Sequence, residues 1–536
     1  MVPARPVKWA KVIDHTRCVG CHACTVACKS ENEVPLGVTR TYVKSVDVGV
    51  FPQARRVFQV TRCNQCDAAP CVTACPTGAM FARRDGIVDF DKSICIGCKA
   101  CIAACPYDAI FMNPEDHAAE KCNFCAHRLD VGLEPACVVV CPTEAILVGD
   151  LNDPGSRVAQ MVHRDAVAVR RPEKDTRPKL FYHGAHEATL DPLAARRPDG
   201  GLYMWSEQAA DGVPSGVPAP WNNTSAAALL SYDVPHEAPW HWRVSLYTWT
   251  KGIAAGVYLV LVALALRGAL SWTNPLWLWG APMLGGAFLA ATGGLLIADL
   301  KHPERFYLIF TRPQWRSWLV RGAFIIAAYA VVLALHLLAA LAGWPALPQA
   351  LAVPGVVLAG LTAVYTAYLF AQAKARDLWQ NPLLPLHFLV QALIAGAAAL
   401  LPFAAYLAPA AGRPLLEIVA GGSALHLLLV WSEAALPHAT AHARLAAREM
   451  TAGRYRAPFR WGVWLGVLAV AAAVAAPALV ALSACPSLQL ASGAVAACSA
   501  GAAAGPGGWL AAALALAALL VYEHAYVQAG QCVPLA

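Results

Sequence analysis

Apolar positions are distributed unevenly along the chain. After residue 245 they gather into eight stretches, near 246–266, 275–298, 318–341, 350–370, 383–408, 415–436, 461–483 and 508–527. Each is long enough for a helix to cross a bilayer, which takes about 20 residues. Before residue 150, short polar and apolar segments alternate with cysteine-rich turns. Between 151 and 240 periodicity fades and turn signals accumulate, as in Asp153-Pro-Gly155, Arg197-Pro-Asp-Gly-Gly201 and Gly212-Val-Pro-Ser-Gly-Val-Pro218. The pattern predicts a cysteine-rich head over 1–150, an extended tail and linker over 151–240, and an all-α membrane domain of eight helices over 241–536. One or two short strands are expected in the linker, for example Lys179-Leu-Phe-Tyr-His183.

Composition agrees with this division. Of the 536 residues 58% are hydrophobic and 14% charged, against about 45–50% and 25% in soluble domains. That excludes a purely soluble enzyme and a disordered or collagen-like chain. The net charge of +7 is mild, and nucleic acid is not expected as a partner. The opening Met1-Val-Pro-Ala-Arg-Pro-Val-Lys-Trp9 has no apolar core and no twin-arginine pair, so no cleavable export signal is expected.

Eight crossings put both ends on one side. The loops there carry twelve cations: Lys301, Arg305, Arg312, Arg316, Arg321, Lys374, Arg376, Arg444, Arg448, Arg454, Arg456 and Arg460. The opposite side shows two, Arg267 and Arg413. The positive-inside rule then makes the head cytoplasmic, in a multi-pass protein of the bacterial inner membrane in contact with lipid. The competing account is that these cations dock the head, whichever compartment it occupies; it would be periplasmic if exported with a partner. Cys485 and Cys498 lie in the loop before the last helix, as a disulfide or as two thiols.

Sixteen of the 19 cysteines lie between Cys18 and Cys141. They form four motifs: Cys18-x2-Cys21-x2-Cys24-x3-Cys28; Cys63-x2-Cys66-x4-Cys71-x3-Cys75-Pro; Cys95-x2-Cys98-x2-Cys101-x3-Cys105-Pro; and Cys122-x2-Cys125-x11-Cys137-x3-Cys141-Pro. Three thiolates on a tight loop can grip three irons of one cubane, while the fourth points to the other cluster of a pair. Zinc sites use two Cys-x2-Cys knuckles, which four repeats of three-plus-one do not fit. The expectation is four 4Fe–4S clusters and no three-iron cluster. Four clusters in so short a stretch suggest a wire for single electrons. The head shows no nucleotide loop, flavin motif or catalytic triad, so no catalytic residue is expected in it.

The head resembles the four-cluster electron-transfer subunit of molybdopterin oxidoreductases such as dimethyl sulfoxide and polysulfide reductase. The stretches that carry the likeness are Asp14-x3-Cys-Val-Gly-Cys-His-Ala-Cys24, Cys63-Asn-Gln-Cys-Asp-Ala-Ala-Pro-Cys71 and Lys121-Cys-Asn-Phe-Cys125. The resemblance implies an α+β double bis-4Fe–4S ferredoxin-like head. It also implies four ligand sets: Cys18/Cys21/Cys24/Cys141, Cys122/Cys125/Cys137/Cys28, Cys63/Cys66/Cys71/Cys105 and Cys95/Cys98/Cys101/Cys75.

The tail resembles the NrfD/polysulfide reductase membrane anchors. The matching stretches are Ala298-Asp-Leu-Lys-His-Pro-Glu-Arg-Phe-Tyr307, Trp315-Arg-Ser-Trp-Leu-Val-Arg-Gly322, Leu378-Trp-Gln-Asn-Pro-Leu-Leu-Pro-Leu386 and Gln528-Ala-Gly-Gln-Cys-Val-Pro-Leu535. That implies a subunit reactive with a quinone (menaquinone or ubiquinone), without haem, here fused to the head. Together the two likenesses imply an oxidoreductase subunit of anaerobic respiration, joining a separate molybdopterin-containing catalytic subunit to the membrane quinone pool. A cytoplasm-facing dehydrogenase resembling the sulfite-oxidising enzymes is the first expectation. A periplasm-facing reductase of the dimethyl sulfoxide, polysulfide, thiosulfate or tetrathionate type is the alternative. A proton-translocating module and a passive anchor with a soluble electron acceptor are further alternatives.

Polar residues inside a bilayer are costly, and each is a candidate site. Tyr247, Trp249 and Lys251 open the first helix on the head's side, and Tyr365 is at a position that resembles the anchor family's quinone-contacting tyrosine. Tyr247 and Trp249 are equally readable as interfacial anchors, and Lys251 either snorkels or serves a site. Asp299, Glu304 and Arg305 form either a structural ion pair or part of a proton path. Glu417, His426 and Glu433 extend such a path or pack helices, and Glu523-His524 is ambiguous. His336, His387 and His426 are too few for a confident two-haem bundle.

Overall fold

The computed structural model describes residues 7–49, 52–196, 228–484 and 506–536. Cys485 and Cys498 lie outside them.

The head is built on β-structure threaded by the cysteine loops. Strand β1 (Trp9–Asp14) buries Ala10, Val12 and Ile13 completely. Strands β2 (Thr41–Val48) and β3 (Arg55–Arg62) form an antiparallel ribbon. Two short hairpins follow, β4 (Met80–Ala82) with β5 (Val88–Phe90) and β6 (Ile110–Met112) with β7 (Ala119–Lys121). Strand β8 (Ile146–Asp150) pairs antiparallel with β1.

The segment after residue 150 is more structured than an extended tail. It contributes a helix, Arg157–Arg164, and strands β9 (Val167–Ala168) and β10 (Leu180–His183), giving a sheet of order β8-β1-β10-β9. Both edges of β1 are thereby paired, and Leu180 and Tyr182 of β10 are buried against the core. Strand β11 (Leu229–Tyr232) adds to β2. The expected short strand at Lys179–His183 is β10, whereas turn-rich sequence conceals β9 and β11, which are only two and four residues long and take their order from their partners.

Eight helices are long and apolar enough to cross a membrane. They are Trp242–Leu266, Leu276–Asp299, Trp318–Leu341, Ala352–Gln372, Leu384–Leu407, Pro409–Ala435, Arg456–Ala476 and Pro506–Ala529, called spans 1 to 8 below. Spans 1 and 5 are the most enclosed. They approach closely at Gly256 and Gly396: a Cβ on Gly256 would lie 1.7 Å from the Ala392 carbonyl oxygen, and one on Gly396 only 2.0 Å from the Gly256 carbonyl carbon. Small residues let two backbones meet this way in a bilayer.

The head sits on the ends of the spans. Arg305 Nη1 donates to the carbonyls of Lys92 (3.1 Å) and Cys95 (3.0 Å), and Lys99 pairs with Asp299 at 3.1 Å. Trp240 Nε1 donates to the Cys98 carbonyl at 3.1 Å, and Ser317 Oγ to that of Ala74 at 2.8 Å. Gly97 has φ of +67°, and a Cβ there would fall 2.4 Å from Lys301 Cβ, so only glycine fits this junction. The final segment also joins head to spans. Arg376 Nη1 donates to the Gln531 carbonyl at 2.8 Å, and Arg170 Nη2 to that of Leu535 at 2.9 Å.

Candidate functional site

Each cysteine loop curls through left-handed backbone before a short helix: His22, Lys99 and Cys125 carry φ of 61°, 62° and 51° at the helix caps. The curl turns the thiols inward. Cys63, Cys66, Cys71 and Cys105 line a cavity of about 310 Å3. Cys75, Cys95, Cys98 and Cys101 line one of about 360 Å3. Cys18, Cys21, Cys24 and Cys141 line one of about 320 Å3. The remaining four also neighbour one another: Cys122, Cys137 and Cys125 all act on the Cys28 thiol, and Asn32 Nδ2 lies 3.6 Å from Cys28 Sγ and 3.7 Å from Cys125 Sγ.

Among the described residues, no three His, Cys, Asp or Glu lie close enough to share one metal ion. The thiols surround open space instead, a spacing that suits a group several atoms across. Backbone N–H groups are aimed at the sulfurs: Met80 N lies 3.4 Å from Cys75 Sγ and Ala145 N 3.2 Å from Cys141 Sγ. Such contacts stabilise ligating thiolates. Burial pushes the Cys28, Cys66 and Cys105 thiols up to about 12, so their ionisation requires positive charge in the cavity, which iron supplies. Burial also raises Cys137, but Arg62 and Lys11 beside it bring it down to about 7.

The four quartets are arranged in series. The Cys75/Cys95/Cys98/Cys101 quartet touches the membrane domain through Arg305, Trp240 and the Lys99–Asp299 pair. The Cys63 quartet lies behind it, since Cys71 neighbours Cys101. Cys63 in turn neighbours Cys122, and Cys137 neighbours Cys24. The Cys18 quartet is outermost, with Cys21 exposed. Around this tip Val19, Val26, Val139 and Val140 are exposed.

Inside the membrane domain a buried polar region faces the head. Lys251 is 1% exposed. Its Nζ donates to the Ala363 carbonyl and to Thr366 Oγ1, both at 2.8 Å, and lies 5.1 Å from the Tyr365 ring centre and 4.6 Å from that of Phe388. It does not snorkel. Tyr247 is also buried, and its hydroxyl has no partner. On the other side of Phe388 is a cavity of about 240 Å3 lined by Thr248, His387, Gln391, Tyr522, Glu523 and Tyr526 among others. Thr248 Oγ1 donates to Glu523 Oε2 at 2.6 Å. Beyond it, His387 Nε2 and His426 Nδ1 are 2.8 Å apart, His387 Nδ1 is 3.4 Å from Glu433 Oε1, and Tyr522 Oη donates to Glu433 Oε2 at 2.5 Å.

Of the membrane residues singled out from the sequence, Tyr247, Lys251 and Tyr365 come together, and Trp249, Asp299 and Arg305 do not join them. Trp249 Nε1 donates to the Leu516 carbonyl at 2.9 Å, toward span 8. Asp299 and Arg305 are engaged with the head. Glu417 is exposed and pairs with Arg413 at 3.1 Å, apart from His426 and Glu433. The pairing is i,i+4 on one helix face, which turns Glu417 away from the bundle. Sequence reasoning misses Thr248, Gln391 and Tyr522. A threonine, glutamine or tyrosine in an apolar run is a weak signal until a cavity brings it beside Glu523.

The comparisons with known proteins divide along the same boundary. A family model described as polysulphide reductase, NrfD, matches residues 232–506. A 4Fe-4S dicluster domain matches 54–151 and a 4Fe-4S binding domain 15–34. One subunit of the tetrathionate reductase of Salmonella typhimurium is 47% identical over 193 residues, 35% of this chain and 77% of that protein. One polypeptide of the polysulfide reductase of Wolinella succinogenes is 42% identical over 177 residues, 32% of this chain and 93% of that one. The thiosulfate reductase electron transfer subunit of Salmonella typhi is 50% identical over 143 residues, 26% of this chain and 74% of its own. With the NrfD match spanning more than half of its length, and the head alike to iron–sulfur subunits of such reductases, this protein belongs to the polysulphide reductase NrfD family and carries its 4Fe-4S electron-transfer subunit in the same polypeptide.

Proposed function

We propose that the chain carries electrons between a separate molybdopterin-containing catalytic subunit and the membrane quinone pool. The observation that supports this is the serial arrangement of four cysteine quartets. It runs from the exposed Cys21 tip to Cys98, beside span 1, and continues into the buried region around Lys251.

In this reading the sixteen head cysteines hold four 4Fe–4S groups, three in the sets that the cavities outline and one in the neighbouring set Cys28/Cys122/Cys125/Cys137. Those groups supply one-electron storage at each site. The protein holds them in line, keeps three sites out of water and presents Cys21, ringed by Val19, Val26, Val139 and Val140, to the catalytic subunit. Tyr247, Lys251 and Tyr365 form the quinone-facing wall. Lys251 offers a positive hydrogen-bond donor to a quinone oxygen, Tyr365 and Tyr247 offer hydroxyls, and Glu523 exchanges protons through Thr248. Trp249, Asp299 and Arg305 serve as packing and docking residues.

The names of the relatives favour a reductase, drawing electrons from quinol, over the dehydrogenase direction. Arg305 and Arg376 account for part of the loop cation excess through their bonds to the head and the final segment. The remaining cations support a head on the cytoplasmic side.

Anaerobic purification of the full chain tests the reading. About sixteen iron atoms and an equal amount of sulfide are expected, from four of each per site. Lys251→Met or Tyr365→Phe should lower quinol-driven reduction of the clusters about tenfold or more, since a hydrogen bond to a charged group is worth about 1.5–3 kcal/mol, and leave the iron content unchanged. Wild-type reduction in both variants would remove this quinone wall.

A second reading couples quinone chemistry to proton movement. It is favoured by the buried chain Glu523, His387, His426, Glu433 and Tyr522, which lines or adjoins a cavity on span 8. It predicts that Glu433→Gln abolishes membrane-potential generation in vesicles while quinol oxidation continues. Loss of both together would instead assign Glu433 to packing.

A further inference from the structure

Arg62 is the last residue of β3, immediately before Cys63, and is 2% exposed. Its Nη1 donates to Cys137 Sγ at 3.0 Å. Its Nε and Nη2 are buried with no partner. Lys11 on β1 is fully buried, with Nζ 3.8 Å from the same sulfur and 4.1 Å above the Phe124 ring centre. Among the described residues, neither cation forms an ion pair with a carboxylate.

A guanidinium taken out of water without a counter-charge costs several kcal/mol. Two such cations side by side cost more, because they repel. Their retention calls for an anion close to both, and the Cys137 sulfur, 3.0 Å from Arg62 Nη1 and 3.8 Å from Lys11 Nζ, is the group they share.

The other quartets are arranged differently. Lys99, beside the membrane-facing quartet, is neutralised by Asp299, and Arg305 bonds to carbonyl oxygens. Near the Cys63 quartet, Lys179 is paired with Asp67 at 2.8 Å, and the buried Lys121 donates to the carbonyls of Val88 and Cys122. The direct bond from a buried, uncompensated cation to a ligand sulfur belongs to the Cys28/Cys122/Cys125/Cys137 site.

We propose that Arg62, backed by Lys11, makes this site the electron-holding station of the four, with the highest midpoint potential. The proposal rests on the reading that the quartets hold 4Fe–4S groups. One electron arriving here adds one negative charge, and its neighbour in the series becomes more oxidised by one electron. The guanidinium stabilises that charge at short range in a low-dielectric interior, and hydrogen bonds to cluster sulfurs raise potentials in the same sense. Arg62 is thus a positioning residue for electrons: it keeps one stored third from the membrane, next to the outermost site. Because arginine stays protonated, no proton needs to follow.

The test is a paramagnetic-resonance redox titration of the purified, iron-loaded full chain, with iron and sulfide measured on the same samples. Four signals are expected in the wild type. In Arg62→Gln the highest-potential signal should lose at least tenfold in electron affinity, about 59 mV for a one-electron couple, while the other three stay in place. Arg62→Lys should restore most of the loss. Lys11→Met should move the same signal by less. An unmoved highest signal, or an equal shift of all four, overturns the proposal. If Arg62→Gln loses iron, Lys11→Met decides: a selective fall supports the assignment and no fall ends it. Fewer than four signals with low sulfide in the wild type would instead defeat the four-cluster reading itself.

Discussion

His236 stands at the junction between β11 and the first span, with Nδ1 2.5 Å from Asp108 Oδ2 and Nε2 3.2 Å from Asp233 Oδ1. Burial lowers its affinity for a proton, but the two carboxylates outweigh that and raise it to about 10. A group whose folded value lies above its unfolded one, about 6.5, stabilises the fold fully below pH 6.5. It loses that contribution as pH rises toward 10. The resistance of the detergent-purified protein to thermal unfolding should therefore fall between those limits. His236→Gln should remove part of that slope, and an unchanged slope would show that this contact does not tie linker to head. At this scale the sequence is legible where one residue declares its own chemistry. The cysteines do, and so does Lys251 as a charge within an apolar run. The partners are not declared: Thr366 and the Ala363 carbonyl belong to another span, and Trp249, two positions from Lys251, turns to the far side of its helix.

Short strands and loops, rather than the long helices, fix the relation of head to membrane. The third motif turns at Gly97 against Lys301, and His302 N donates to the Ile96 carbonyl at 3.2 Å. Gly97→Val adds a clash and forces a β-branched residue into left-handed backbone, a cost of order 1–3 kcal/mol. The expected outcome is slower electron exchange between quinol and head, with the iron content retained. An equal rate would mean that the junction tolerates displacement. Helix-length apolar runs are legible because each is a local property of about 20 residues. Strand β10 is legible as a short apolar run, but its place in the sheet is not, because that comes from pairing with β1 across more than 150 residues of chain, and β9 takes its order from β10 in turn.

Across the whole molecule, the Trp240, Phe370 and Trp379 rings stack between head and spans, with centres 4.4–6.0 Å apart. The last residues lie buried against both parts, Leu535 at 3% and Ala536 at 4% exposure. The head is therefore clamped to the membrane domain and not tethered to it, which suits a path whose spacing must be constant. The proposed orientation rests on the charge of the loops that remains after docking is subtracted. A reporter fused to the loop at Gly343, on the side away from the head, should be active outside the cytoplasm. Cytoplasmic activity at that site would reverse the proposed orientation and favour an exported head.

Sequence alone determined the parts whose physics is local: sixteen thiols in four motifs, eight apolar runs, and a family likeness carried by contiguous motifs. Tertiary structure decided what depends on residues far apart in the chain. It decided that Asp299 and Arg305 grip the head, that Glu417 leaves the interior, and that Glu523 meets Thr248, His387 and Tyr522 around one cavity. It also decided that Arg62 reaches Cys137. The reason is that a side chain's charge is written at one position, while the desolvation and the partner that give the charge its effect arise only when the chain has closed around it.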